Sequence, residues 1–207
     1  MNKAIDIYEN FYYPKIKDAE IEISFNKFPK KENFYDVVLT SPPYGDSRTT
    51  VAYGQFSHFA NEWMGIDYAR QVDSMLMGGK SVKENYTHGI MGESIAMVEK
   101  VSNKRAKEVS SFYFDLEKSI TDVAKSVKKG GKIIYVVGNR TVKGIQLPTD
   151  QFIAEKFSQN GFEHLKTYER IIGNKVMPSR NSPTNKVGAL QGTMTKEYIV
   201  VCEKLKA

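Results

Sequence analysis

The sequence predicts an α/β fold, in which helices flank a sheet that is mainly parallel. Three observations predict it: short apolar runs without polar alternation, longer segments with one apolar face at helical spacing, and glycines where segments end. Apolar runs of this kind are typical of strands that are buried on both faces of a parallel sheet. Residues 37–39, Val-Val-Leu, form the first such run, and two prolines follow it closely.

The second half of the chain predicts a regular alternation of helices and strands. A long helix is expected to end at Gly130 and Gly131, after Lys128 and Lys129, which favour its dipole. Its apolar face comprises Phe112, Leu116, Ile120, Val123 and Val127. Residues 132–137 then predict a buried strand.

A second helix is predicted to begin near Thr149 and to stop at Gly161. It carries Phe152, Ile153 and Phe157 inward. Strands are predicted at residues 165–172 and 198–202, and residues 19–25 alternate like a further strand before the first apolar run. The predicted order is therefore strand, strand, helix, strand, helix, strand, strand.

Composition indicates one globular domain over residues 1–207. The chain is 41% hydrophobic and 26% charged, and its net charge of +6 is compatible with a nucleic-acid partner. Its apolar runs are too short to cross a membrane and no signal region follows Met1, which predicts a cytoplasmic location. Cys202 is the single cysteine and is expected to be a buried thiol, while His58, His88 and His164 lack ligand spacing. No metal site is predicted.

The tetrapeptide Ser41-Pro42-Pro43-Tyr44 carries the strongest chemical signal. Prolines lack a backbone donor and fix φ, so they predict a rigid loop at the carboxyl end of a strand, where open α/β sheets bind ligands. The Ser41 hydroxyl and a proline carbonyl offer two acceptors, and the Tyr44 ring offers a stacking face. An exocyclic amino group on a flipped-out base fits such a pocket.

This tetrapeptide after a Val/Leu strand resembles the catalytic motif of amino-methylating DNA methyltransferases, which use S-adenosylmethionine. Members with serine first mostly modify the amino nitrogen of cytosine. The segments 45–56, 137–140 (Val-Gly-Asn-Arg) and 195–201 also resemble cytosine-type members, so the resemblance covers most of the chain from residue 19. It implies a Rossmann-like class I methyltransferase sheet whose last two strands form an antiparallel edge, with Ser41, Pro42, Pro43 and Tyr44 as catalytic residues.

One family feature is missing from the sequence. Members carry a glycine-rich turn after their first strand, where backbone N–H groups hold the cofactor. About 18 residues precede residue 19 and none is glycine, and Gly78-Gly79 and Gly130-Gly131 lack the preceding strand or the spacing. The resemblance therefore implies an incomplete sheet in which Ser41 and Pro42 supply only an edge of the cofactor site. A second subunit with the glycine-rich motif, as in a split restriction-modification enzyme, is expected.

Residues 46–110 predict a helical insertion. Trp63, Met75 and Met77 are expected to pack on the sheet. Arg48 and Thr49, with Thr50, immediately follow the catalytic turn and are candidates for DNA contact, and Gln55 and His58 are weaker candidates.

Residues 174–195 predict a target-recognition loop. The segment contains basic residues and no acidic one, and it is rich in amide and hydroxyl side chains that suit phosphates and base edges. The candidates for contact with double-stranded DNA are Lys175, Arg180 and Lys186 on phosphates, with Asn181, Asn185 and Gln191 on bases. Docking against the partner subunit is an equally open interpretation.

Two other functions stay open from the residues. One is a nucleic-acid-binding relic without catalysis, which the presence or absence of a partner with the glycine motif would distinguish. The other is a methyltransferase that acts on adenine or on RNA, which product analysis would distinguish.

Overall fold

The computed structural model describes residues 2–20, 31–45, 53–172, 180–181, 191–192 and 195–205. Its α-helices are α1 (Asn2–Ile7), α2 (Tyr13–Ile16), α3 (Tyr53–Trp63), α4 (Val72–Met75), α5 (Gly89–Val101), α6 (Asn103–Ser126) and α7 (Thr149–Gln159). A π-helical turn, Tyr8–Tyr12, joins α1 to α2, and a 3-10 turn, Ala69–Gln71, precedes α4. The strands are β1 (Tyr35–Thr40), β2 (Val127–Val137), β3 (Thr141–Val142), β4 (Ile145–Gln146), β5 (Phe162–Ile171), β6 (Arg180–Asn181), β7 (Gln191–Gly192) and β8 (Lys196–Lys204).

Four strands form the main sheet in the order β1, β2, β8, β5. β1 runs parallel to β2, whereas β8 is antiparallel to both β2 and β5. The carboxyl ends of β1, β2 and β5 and the amino end of β8 therefore lie at the same end of the sheet. The predicted α/β fold, with its later strands and an antiparallel pair at one side, is confirmed.

The core lies where α5, α6 and α7 meet the sheet. The strands contribute alternate residues to it, as in Ile133, Tyr135 and Val137 of β2, all at most 2% exposed. The helices contribute mainly aliphatic and aromatic residues: Met91, Ile95, Val98, Phe112, Tyr113, Leu116, Ile120, Phe152, Ile153 and Phe157. The apolar faces predicted for α6 and α7 are confirmed, except that Val127, predicted on the face of α6, is the first residue of β2.

The predicted end of α6 and the predicted position of Lys128 differ from the structure. α6 ends at Ser126, four residues before Gly130, because the chain has already joined β2, where Val127 pairs with Tyr35. Lys128 therefore lies in a strand, and its Nζ contacts both carboxylate oxygens of Asp36 at 2.9 Å. Its predicted role at a helix end is wrong.

The burial predicted for β1 is also wrong in part. Val38 packs against the core, but the side chain of Val37 is 55% exposed and that of Leu39 is 69% exposed. Within the described residues, β1 pairs with β2 alone and only the side of β1 that carries Val38 packs against the core, so burial on both faces is not reached. The strand predicted at residues 19–25 lies mostly outside the described residues.

The segment predicted to be a helical insertion contains α3, α4 and α5, and its status as an insertion stays a prediction. Trp63 is 97% exposed and Met75 is 70% exposed, so their predicted packing on the sheet is wrong. Met77 does pack against the core, and its packing on the sheet itself stays a prediction. Amphipathic spacing alone did not show which of these side chains had a neighbouring element to pack against.

The exposed apolar residues of β1, which pairs with one strand among the described residues, predict self-association of the isolated chain. Replacing Val37 and Leu39 together with lysine is expected to weaken it by roughly tenfold or more, because each substitution removes apolar surface that the associated state buries. Sedimentation velocity over a concentration series measures this. Val101→Lys is the matched control, since Val101 is 61% exposed on α5, away from the edge. A chain that stays monomeric at high concentration before any substitution would contradict the prediction.

Candidate active site

The Ser-Pro-Pro-Tyr turn follows β1 directly. It lies at the end of the sheet where β1, β2 and β5 all end. Thr40 pairs with Tyr135, so the turn begins beside the last residues of β2. The Ser41 residue is exposed, whereas Pro42, Pro43 and Tyr44 are half-buried. The structure therefore brings the four predicted catalytic residues together at the end of the sheet where the sequence predicts them.

The Tyr44 side chain is held by its hydroxyl. This hydroxyl donates a hydrogen bond to Oε1 of Glu197 at 2.8 Å, and it is also hydrogen-bonded to the Ser41 side chain. Burial raises the pKa of Tyr44, the hydrogen bond to Ser41 lowers it, and Glu197 raises it again; the net shift is upward. The phenol thus stays protonated and keeps its donor role at neutral pH.

Glu197 is in turn held by Arg170. The two residues lie directly opposite each other on β8 and β5, and the Arg170 Nε donates to Oε2 of Glu197 at 3.0 Å. A second, shorter contact joins the terminal guanidinium nitrogen to the same oxygen. The Arg170 hydrogen bond is the main cause that holds the pKa of Glu197 below its usual value, against the opposing effect of burial.

The end of β2 is tied to the start of α7. The Asn139 Nδ2 donates to Asp150 Oδ1 at 2.7 Å, and the Asp150 backbone N–H donates to Asn139 Oδ1 at 3.1 Å. One asparagine side chain therefore satisfies a free N–H group of the first turn of the helix. Beside it, the buried hydroxyls of Tyr113 and Thr149 lie 2.8 Å apart. The segment 137–140 thus has a structural role at the border of the site.

The predicted DNA-contact residues lie largely outside the described residues. This holds for Arg48, Thr49 and Thr50, and for Lys175, Asn185 and Lys186. Arg180, Asn181 and Gln191 are described as backbone: β6 and β7 form an antiparallel pair in which Asn181 stands opposite Gln191. Their contact with DNA, and that of Gln55 and His58 on α3, stays a prediction.

Sequence reasoning missed the roles of Glu197 and Arg170. Glu197 falls within the segment 195–201, whose resemblance marks no single residue, and no local pattern marks Arg170. A signal was available for Glu197, because it is a charged residue at the start of an apolar strand whose amino end faces the catalytic turn. The 27-residue separation from Arg170 hides their pairing, since it depends on the register of two antiparallel strands.

The glycine-rich turn that the family resemblance implies is not found within the described residues. None of their glycine pairs stands between the end of a strand and the start of a helix, where backbone N–H groups would cradle a nucleotide. That Ser41 and Pro42 form an edge of a cofactor site stays a prediction.

Neither a metal-binding cluster nor a membrane-spanning helix occurs in the described segments. They contain no group of three or more histidine, cysteine, aspartate or glutamate side chains that could hold a metal ion. In the same part of the chain, no helix has both the length and the apolar character to span a membrane. Cys202 is buried as predicted, and burial raises the pKa of its thiol to about 12.

The chain is similar in sequence to one curated protein. It is 42% identical over 184 residues to the type II methyltransferase M.MvaI of Kocuria varians, a match that covers 83% of the chain and 40% of that protein. The chain therefore spans less than half the length of this relative. No family model matches the chain.

Solved structures give weaker matches. The cytosine-N4-specific PvuII DNA methyltransferase matches with a TM-score of 0.47 and 13% identity, over 86% of this chain and 45% of that one. TTHA0409, described as a putative DNA modification methylase from Thermus thermophilus, matches in its complex with S-adenosyl-L-methionine with a TM-score of 0.42 and 16% identity. That match covers 86% of this chain and 50% of the other.

Proposed function

We propose that the chain is the catalytic half of a site-specific DNA methyltransferase that transfers a methyl group from S-adenosylmethionine to the exocyclic amino group of cytosine. One observation carries the proposal: the Ser-Pro-Pro-Tyr turn stands at the carboxyl end of β1 with its tyrosine anchored by Glu197. The similarity to a type II methyltransferase supports it.

In this proposal the turn positions the amino group without a separate general base. The Ser41 hydroxyl and a proline carbonyl accept the two N–H groups of the base, which directs the nitrogen lone pair outward. The Tyr44 ring stacks on the extruded base. When bound, S-adenosylmethionine would supply an electrophilic methyl group. The amino nitrogen would then gain a bond to that carbon as the sulfur–carbon bond breaks, and would lose a proton to water. Positioning supplies much of the reduction in the barrier.

The remainder of the cofactor site belongs, in this proposal, to a further segment or a second subunit that continues the sheet. Among the described strands β1 pairs with β2 alone, and the match covers 40% of the relative; both support a further half. A parallel strand beside β1 would carry the glycine-rich turn to the carboxyl end of the sheet, next to Ser41.

The isolated chain is accordingly expected to bind S-adenosylmethionine weakly or not at all. The reason is that the described residues lack the backbone cradle that holds the nucleotide. Isothermal titration calorimetry with the cofactor checks this. Micromolar affinity of the chain alone would place a complete cofactor site within it and would remove the need for a second half.

A hybrid polypeptide tests the proposed function. In it, this chain replaces the matched segment of the Kocuria varians methyltransferase, which supplies the other half. The hybrid is incubated with methyl-tritiated S-adenosylmethionine and DNA, and the labelled nucleosides are separated after digestion. We expect N4-methylcytosine, formed more slowly by a factor on the order of 100 in the Ser41→Ala hybrid. N6-methyladenine would overturn the cytosine assignment, and a folded, cofactor-binding hybrid without any transfer would overturn the function.

Target recognition is proposed for residues 174–195. Replacing Lys175, Arg180 and Lys186 with alanine in the hybrid is expected to weaken binding to all duplexes. The slope of log affinity against log salt should fall by about 1 for each phosphate that is no longer bound. Fluorescence anisotropy across a salt series measures it. An unchanged slope, with assembly of the two halves disrupted instead, would assign the loop to the interface between them.

A further inference from the structure

The carboxylate of Glu197 on β8 links the catalytic turn to β5. Its two oxygens have different partners: Oε1 accepts from the Tyr44 hydroxyl, and Oε2 accepts from the Arg170 guanidinium. Three side chains from the turn, β8 and β5 thus form one hydrogen-bonded chain. Because guanidinium and carboxylate are both charged, the Arg170 contact belongs to the stronger class of hydrogen bonds.

The surrounding backbone fixes where this carboxylate points. Glu197 and Arg170 are paired across β8 and β5, and beyond them the Ile172 N–H donates to the Thr195 carbonyl at 2.9 Å. The Glu197 side chain is only 13% exposed, whereas that of Arg170 is 59% exposed. The oxygen offered to Tyr44 therefore has a defined position, set by two strands outside the turn.

A tyrosine ring rotates about two side-chain bonds, so a stacking face needs an anchor to hold one orientation. The half-buried Tyr44 has that anchor at its hydroxyl, at the end opposite to its backbone. A ring held at both ends presents its face without first losing rotational freedom when a base arrives, which is a form of preorganisation.

We propose that Glu197 and Arg170 are positioning residues, which orient the Tyr44 ring for the target base through its hydroxyl. The inference rests on the proposed function, in which Tyr44 stacks on the extruded base. It assigns the two residues no contact with base or cofactor. Their effect is therefore transmitted through one hydrogen bond, which makes it separable from a general role in folding.

A double-mutant cycle in the hybrid tests this dependence. Glu197→Ala and Tyr44→Phe are each expected to lower kcat by about tenfold, the effect of one strong hydrogen bond, with KM for DNA within about twofold. The combined variant should show no further decrease beyond that of Tyr44→Phe, because that change already removes the hydroxyl through which Glu197 acts, together with its contact to Ser41. Glu197→Gln, which keeps an oxygen that can accept from Tyr44, should recover most of the rate. A hundredfold decrease in the combined variant, or no decrease with Glu197→Ala, would overturn the proposal.

The matched control is Glu169→Ala. Glu169 precedes Arg170 on β5 and its Oε1 contacts the Lys196 Nζ at 2.7 Å, so the change removes a neighbouring cross-strand ion pair without touching the Tyr44 contact. Its kcat should equal that of the unchanged hybrid. Equal decreases from Glu169→Ala and Glu197→Ala would indicate a general effect on the β5–β8 pair and would overturn the assignment.

A spectroscopic measurement separates this inference from the proposed function, because it needs no methyl transfer. The hybrid is labelled with 3-fluorotyrosine, and the Tyr44 fluorine resonance is identified by its disappearance in Tyr44→Phe. We expect Glu197→Ala to shift or broaden that resonance and Glu169→Ala to leave it unchanged. A resonance unaffected by Glu197→Ala would refute the positioning role even in an active enzyme. A shifted resonance in a hybrid that transfers no methyl group would refute the function alone.

Discussion

Replacing Ser41 with alanine in the hybrid is expected to lower the rate of methyl transfer by a factor on the order of 100, while DNA affinity stays within about twofold. The substitution removes one of the two acceptors that orient the target amino group. It leaves β1 and the proline turn unchanged, since the Ser41 residue is exposed and contributes little to packing. Single-turnover kinetics with labelled cofactor measure the rate, and fluorescence anisotropy measures the affinity.

Ser158→Ala provides the matched control for this prediction. Ser158 lies on α7, exposed, with its hydroxyl donating to the Ala154 carbonyl at 2.9 Å. The same chemical change there should leave the rate unaltered. If Ser41→Ala transfers methyl groups at the unaltered rate, the amino group is not bound by this turn and the proposed pocket is wrong.

The second large effect concerns stability. Phe152→Ala is expected to lower the free energy of unfolding by about 3–5 kcal/mol, because it removes an aromatic side chain from the core and leaves a cavity. Phe152 is fully buried, and its ring meets those of Tyr113 and Tyr86 edge-on, with centroids 5.0 and 5.8 Å apart. Urea denaturation at low protein concentration, followed by circular dichroism, measures the change.

Phe59→Ala is the matched control for stability. Phe59 lies on α3 and is 68% exposed, so its removal should change the free energy of unfolding by less than about 0.5 kcal/mol. Equal decreases from the two substitutions would mean that α7 does not pack on the sheet as described.

The accuracy of the sequence predictions follows the range of the interactions involved. α7 was predicted well because its inward residues, its first residue and the glycine after it all lie within 13 residues. The end of α6 was misplaced because Val127 pairs with Tyr35, which is 92 residues away in sequence. No local pattern contains that pairing.

The site shows the same division. The turn at residues 41–44 could be predicted because its chemistry lies in four consecutive residues. The anchoring of Tyr44 could not, since Glu197 is 153 residues further along the chain. The exposure of Leu39 was also beyond local reasoning, because an apolar strand has the same sequence whether or not a neighbour covers it.

The position of β1 in the sheet has a consequence for when the active site exists. β1 meets its one partner among the described strands, β2, only after the chain has closed a loop of about 90 residues, whereas α5, α6 and α7 pack with closer neighbours in sequence. Its amide protons should therefore exchange with solvent sooner than those of β2, which has a strand on either side. In the proposed enzyme, a second strand along β1 would slow this opening. The half-enzyme would then become able to transfer a methyl group only on assembly. Before assembly, local opening of β1 would keep it from modifying DNA.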